Sequence, residues 1–175
     1  MRTIVDKTNP ALRQKTRDIP LKNIKSATVR GLIRDMKKLL AGESYGVALA
    51  APQVGESVRL FIVAGKALAK HSEINVGDSV EMPKDQVYIN PVFTKLSRGK
   101  LNMHEGCLSV RGRWGEVPRA EKATIEAYDE HGKKFSRGAS GFLAHIFQHE
   151  MDHLEGVLYT DRAVKMYAEQ QKSEA

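Results

Sequence analysis

The clearest hydrophobic pattern in the chain lies between residues 140 and 156. Large apolar side chains and histidines recur there with a helical 4-3-4 spacing, at Phe142, Ile146, His149 and His153. Ser140 is a favourable residue before a helix, and Gly156 can end one in a left-handed turn. The pattern therefore predicts a buried helix of about four turns whose apolar stripe contains two histidines.

Weaker patterns predict the remaining elements. Residues 28–40 show helical periodicity followed by Gly42, and residues 58–63 and 86–92 have the apolar composition of strands. Residues 124–129 and 133–135 are predicted to form a hairpin around His131 and Gly132. Residues 64–85 are expected to hold an inserted loop. Antiparallel strands around a central helix would make an α+β fold.

Composition favours one compact domain. The chain has 175 residues, 41% of them hydrophobic, and no internal repeat or low-complexity segment. We expect residues 1–162 to form this domain and residues 163–175 to be a short tail, helical if it is ordered. The single cysteine favours a reducing compartment, the cytoplasm. Because the sequence has no long apolar run, no membrane association is expected.

The positive charge is concentrated near the amino terminus. The net charge is +7, and residues 1–40 contain eleven Lys and Arg against three Asp, so that the remainder is close to −1. A solvated basic surface and a transient contact with the ribosome both explain this asymmetry. Aromatic residues are not interleaved with the basic ones, so no specific DNA binding is expected.

The predicted long helix carries the chemistry of a metal site. His149 and His153 are four residues apart, so they lie on one helix face and can share one ion, with Glu150 beside them as a candidate general base. A catalytic ion usually has three protein ligands, and Cys107 in the segment 104–110 is the candidate for the third. The alternatives are a solvated helix with a charged face and a cysteine that is only a small buried hydrophobe.

A segment of small residues, 46–53, ends in Gln53. Small side chains let an extended peptide approach a strand edge, and the Gln53 amide can donate a hydrogen bond to a developing negative charge. The alternative is a tight strand and turn with a purely structural role.

In this order, the segments G-V-A-L-A-A-P-Q at 46–53, E-G-C-L-S at 105–109 and Q-H-E-M-D-H-L-E-G at 148–156 resemble the motifs of the peptide deformylase family. The resemblance extends to N-P-A-L-R at 9–13, I-N-P at 89–91 and V-P-R-A-E at 117–121, and so covers roughly residues 1–162. It implies an α+β fold with antiparallel strands around the metal-bearing helix. It also implies hydrolytic removal of formyl from the amino-terminal methionine of nascent polypeptides.

The resemblance also implies roles for individual residues. Cys107, His149 and His153 would bind one divalent ion, Fe²⁺ natively, with Ni²⁺, Co²⁺ or Zn²⁺ as substitutes. Glu150 would be the acid/base, and Gln53 with the backbone N–H of Leu108 would form the oxyanion hole. The segments contacting an N-formylmethionyl peptide would contain Gly46, Val47, Ala48 and Gly106.

The pair Glu105–Arg119 and the carboxylate Asp152 could each support the metal site, and each also has a simpler interpretation as an exposed surface group. Glu105 and Arg119 would form an ion pair that braces the Cys107 loop, although an exposed surface pair is the common case. For Asp152, a role in supporting the site competes with simple solvation.

Two residues depart from the family pattern. Ala48 replaces a glycine where substrate should approach, and Arg111 replaces a proline after the cysteine motif. These changes leave open a catalytically impaired or specificity-altered peptide-binding protein. A general metallopeptidase, a non-catalytic metal-binding protein and a basic nucleic-acid module are the further alternatives.

Overall fold

The computed structural model describes residues 2–71 and 82–168. The order of helices and strands is α1 (Ala27–Ala41), β1 (Ala48–Ala50), β2 (Leu60–Val63), α2 (Gly65–His71), β3 (Gln86–Leu96), β4 (Lys100–Cys107), β5 (Val110–Ala120), β6 (Lys122–Tyr128), β7 (Lys134–Ser140), α3 (Gly141–Leu154), α4 (Tyr159–Arg162) and β8 (Lys165–Ala168). Three short 3-10 turns span Pro10–Arg13, Leu21–Asn23 and Ala51–Val54. The predicted α+β class is confirmed.

A five-stranded antiparallel sheet separates the two long helices. Its strand order is β1-β2-β3-β6-β7. Side chains alternate across β2, so that Phe61 and Val63 pack towards α3 whereas Leu60 and Ile62 pack towards α1. Burial on both faces explains why β2 is a continuous apolar run rather than an alternating one.

A second sheet of three strands, in the order β4-β5-β8, also contacts α3. Gln148 fixes α3 to this sheet, because its side-chain amide accepts from the N–H of Ala120 at 2.8 Å and donates to the Ala120 carbonyl at 2.9 Å. Helix α3 thus lies between the two sheets, as the family resemblance implies.

Most predicted elements are confirmed with shifted bounds. Helix α1 extends the predicted helix by one residue at each end, and the hairpin of β6 and β7 turns at Gly132, whose φ is +80°. Helix α3 follows Ser140 and is followed by Gly156 at φ +75°, although the Ser140 side chain makes no capping hydrogen bond.

Two segments contain structure that the sequence analysis did not predict. Residues 64–85 were expected to hold a loop, but Gly65–His71 forms helix α2, whose Ala67 and Leu68 pack against the core; residues 72–81 lie outside the described residues. In the tail, Lys165–Ala168 forms a strand, because the exposed edge of β5 offers backbone partners that favour extended chain over a short isolated helix. None of the described helices is long and apolar enough to span a membrane.

Candidate active site

The structure brings one thiol and two imidazoles together between the two sheets. Cys107 is the last residue of β4, and His149 and His153 come from one face of α3. One ligand atom from each residue lies within 4.8 Å of the others. Cys107 Sγ lies 3.4 Å from His153 Nε2. The three candidate ligands of the sequence analysis therefore form one cluster.

These donors suit a divalent transition metal. Thiolate and imidazole are ligands of Zn²⁺ and Fe²⁺. Two ligands of a tetrahedral ion at ordinary bond lengths are about 3.6 Å apart, close to the separation of Cys107 and His153. Burial lowers the pKa of His153 well below its ordinary value, whereas at His149 the contacts with Cys107 and Glu105 outweigh burial and raise the pKa. A set of three protein donors also leaves a coordination position for water or substrate.

Glu150 lies in the same cavity as a buried carboxyl group. Its residue is 4% exposed, and its Oε2 atom has no hydrogen-bond partner among the described residues. Burial raises the pKa of Glu150 to about 7, against the opposing effect of nearby His149. A carboxyl group with a pKa near neutrality can both accept and donate a proton at physiological pH.

A hydrogen bond from the nearby backbone orients the Gln53 side chain. Its oxygen accepts the N–H of Ala50 at 2.8 Å, so its Nε2 is the atom that faces the cluster, 3.4 Å from Cys107 Sγ. The glutamine is only 2% exposed. Leu108 follows Cys107 in the turn between β4 and β5 and lines the same cavity. Both predicted oxyanion-hole residues therefore border the site.

Glu105 is the centre of a buried ionic network behind the cluster. Its two oxygens contact Arg119 at 2.6 and 3.0 Å, and they also contact His149 Nδ1 at 2.7 Å and His145 Nε2 at 2.8 Å. Burial alone would raise the pKa of Glu105, but hydrogen bonds from His145, His149 and Arg119 outweigh it and hold the pKa below its ordinary value. An ionised Glu105 thus orients His149, whose Nε2 is left for the cluster.

The surface interpretation of the Glu105–Arg119 pair was wrong, since both side chains are almost completely buried. Asp152 is also buried and extends the network, accepting from Arg119 at 2.7 Å and from Arg162 at 2.8 Å. Simple solvation of Asp152 is therefore excluded.

His145 is the supporting residue that the sequence analysis missed. It lies four residues before His149, as His149 lies before His153. That repeat of the i, i+4 spacing was the available signal. Its partner, Glu105, is distant in sequence and could not be recognised from the helix alone.

A cavity of about 470 Å³ opens in front of the cluster. Gly46, Val47, Ala48 and Gly106 all line it, as do Arg111 and the half-exposed Phe142 and Trp114. A Cβ added to Gly106 would lie 2.9 Å from the Trp114 ring, and one added to Gly46 would lie 2.9 Å from Glu43 Cβ. These glycines are therefore also required for packing within the protein. The Ala48 methyl is largely buried, at 6% exposure.

A thiol and two imidazoles beside a buried carboxyl group, in a cavity of an α+β fold, are typical of metal-dependent hydrolases. Comparison with known proteins specifies the family. The model of the polypeptide deformylase family matches residues 1–169, and the chain belongs to this family. The resemblance noted in the sequence is thus confirmed, and it extends beyond residue 162.

Curated relatives and solved structures agree with this assignment. The chain is 39% identical over 159 residues to peptide deformylase 2 of Nostoc sp., covering 91% of this chain and 84% of that protein. It is 38% identical to the peptide deformylase of Thermomicrobium roseum, with 93% and 85% coverage. A plant peptide deformylase superposes with a TM-score of 0.77 at 35% identity, with 94% and 81% coverage. A Met-Ala-Ser-bound peptide deformylase from Acinetobacter baumannii superposes with a TM-score of 0.78 at 30% identity, with 93% and 98% coverage.

Proposed function

We propose that this chain hydrolyses the formyl group from the amino-terminal formyl-methionine of nascent polypeptides and releases formate. The observation that carries the proposal is the convergence of Cys107, His149 and His153 near the buried Glu150, whose Oε2 has no hydrogen-bond partner among the described residues, in a chain of the deformylase family. Two of the three candidate ligands, Cys107 and His149, line one cavity together with Glu150, the candidate proton-transfer group, which supports the proposal.

Cys107, His149 and His153 would hold one divalent ion, which would lower the pKa of bound water towards about 7 and would polarise the formyl carbonyl. Glu150 accepts the proton of the attacking water and passes it to the leaving amine, because its raised pKa suits both transfers. Gln53 Nε2 and the Leu108 N–H donate hydrogen bonds to the oxyanion that develops on the formyl oxygen. Gly46, Val47, Ala48 and Gly106 border the bound peptide.

Fe²⁺ is the proposed native ion, with Ni²⁺, Co²⁺ or Zn²⁺ as substitutes in purified protein. The sulfur and nitrogen donors accept all four, so availability in the cell selects among them. We also propose a cytoplasmic localisation, because a reducing compartment preserves a single thiolate ligand.

The direct test is formate release from formyl-Met-Ala-Ser, combined with metal analysis of protein purified anaerobically. We expect one equivalent of metal and rapid formate release. Glu150→Gln should retain the metal and lose about 100- to 10,000-fold in kcat, since it removes the proton-transfer group. Metal and peptide binding without formate release would instead indicate the catalytically impaired alternative, and cleavage of internal amides would indicate a peptidase.

A transient contact with the ribosome is a separate proposal. It is supported by the excess of basic residues in positions 1–40, many of them on α1 and its lead-in. Association with ribosomes should weaken steeply as salt is raised. Absence of pelleting with ribosomes at low salt would exclude it.

A further inference from the structure

Two arginines at the mouth of the cavity differ in their ionic partners. Arg111 and Arg113 are both exposed, and both line the cavity. The Arg111 guanidinium donates to the two carboxylate oxygens of Glu43, at 2.7 and 3.4 Å. Arg113 has no carboxylate partner among the described residues. The positive charge of Arg111 is therefore compensated at the rim, whereas that of Arg113 is available to a ligand.

Among the residues that the structure describes, the cavity lining has no exposed acidic group to compensate Arg113. Its two acidic residues are Glu105 and Glu150, and both are buried. Glu105 is neutralised by Arg119 and by hydrogen bonds from two histidines. The entrance that an incoming peptide crosses thus presents a net positive charge from described residues.

The backbone of Arg113 is held on two sides while its side chain is exposed. Arg113 pairs with Ala168 of β8, and its carbonyl accepts the Tyr159 hydroxyl at 2.9 Å. On the next position of β5, Trp114 packs its ring over Gly106. Because the backbone of Arg113 is already held in place, little further backbone entropy is lost when its side chain binds an anion.

We propose that Arg113 is a specificity-determining residue that favours formylated peptides with Asp or Glu at the first or second position after the methionine. The proposal rests on the function proposed above. A peptide whose formyl end lies at the Cys107 cluster leaves the cavity through its mouth, so the residues after the methionine pass the arginine. An exposed ion pair of this kind changes the ratio of kcat/KM by about two- to fivefold.

The test is a competition assay with two peptide series, formyl-Met-X-Ser and formyl-Met-Ala-X, in which X is Asp, Asn or Lys. In at least one series we expect kcat/KM to follow Asp, then Asn, then Lys, with about two- to fivefold per step at low salt. The preference should shrink as ionic strength rises, because the Debye length falls from about 30 Å at 0.01 M to about 8 Å at 0.15 M. Equal rates in both series would overturn the proposal.

Variants assign the preference to one side chain. Arg113→Gln should bring the Asp-to-Lys ratio close to one, and Arg113→Glu should invert it. Glu43→Gln should increase the ratio about twofold, because it releases Arg111. Arg98→Gln removes an exposed arginine in the turn between β3 and β4, outside the cavity lining, and should leave the ratio unchanged. An unaltered ratio in Arg113→Glu would also overturn the proposal.

Competition ratios do not depend on the fraction of folded or metal-loaded enzyme, so a partly damaged variant remains informative. Failure of the inference is also distinguishable from failure of the proposed function. If the function is wrong, no peptide of either series releases formate, whereas formate release at equal rates contradicts the role of Arg113 alone.

Discussion

Two Glu–Arg pairs involve the hairpin of β4 and β5, and burial gives them different roles. Glu105 and Arg119 have side chains that are 1% and 5% exposed, whereas those of Glu43 and Arg111 are 26% and 64% exposed. In the interior, every donor around Glu105 must be satisfied, so the pair also orients His145 and His149. At the rim, water can replace either partner at small cost. The buried pair therefore supports the chemistry, and the exposed pair adjusts the charge of the entrance.

We expect the largest difference in stability when Glu→Gln is made at the buried Glu105 and at the exposed Glu43. Glu105→Gln removes the central anion and leaves Arg119 with only Asp152, so we expect a loss of about 3–5 kcal/mol in the free energy of unfolding. It should also weaken metal retention, because His149 loses the carboxylate that orients it. Urea denaturation and metal analysis measure both effects. A loss of less than about 1 kcal/mol in the free energy of unfolding would mean that the buried pair contributes no more to stability than an exposed pair.

Gln53→Met tests whether the interior polar groups act on the reaction itself. The substitution keeps a similar volume but removes the amide donor beside Cys107. We expect kcat for formyl-Met-Ala-Ser to fall about 100- to 1,000-fold with little change in KM, since the donor contributes mainly in the transition state. Steady-state kinetics on metal-replete protein provide the measurement. A rise in KM at constant kcat would assign Gln53 to substrate binding instead.

Ending the chain after Arg162 tests the support of the outer hairpin. The truncation removes β8 and its four register pairs with β5, which include Arg113 and Trp114. At about 0.2–1 kcal/mol per cross-strand pair, we expect a loss of about 1–4 kcal/mol in stability. Thermal unfolding measures this loss, and an unchanged Tm would show that residues 1–162 suffice as a domain.

Glu43→Gln should have the smallest effect on stability. The pair with Arg111 is exposed, so its loss should cost about 1 kcal/mol or less, and less still at high salt. The same urea titration as for Glu105→Gln provides the matched comparison. A cost of several kcal/mol would contradict the division between interior and rim.

The sequence predicted elements and ligands where one short segment contains the whole signal. The helical spacing of Phe142, Ile146, His149 and His153 fixed the position of α3, and the i, i+4 pair of histidines indicated a metal. The strand at Lys165–Ala168 was not predictable in this way. Four residues have too little pattern of their own, and they become extended because β5 presents an unpaired edge.

Local spacing and residue chemistry were sufficient for the class of fold, the donor set and the family resemblance, because helix periodicity and metal-ligand preferences are properties of a few neighbouring residues. The histidine partners of Glu105 and the unequal compensation of the Arg111 and Arg113 charges emerged only from the folded chain. Those features depend on burial and on contacts between segments far apart in sequence, such as Glu43 with Arg111 and Glu105 with His149. Solvent exclusion determines what each charge does, and a linear pattern contains no measure of it.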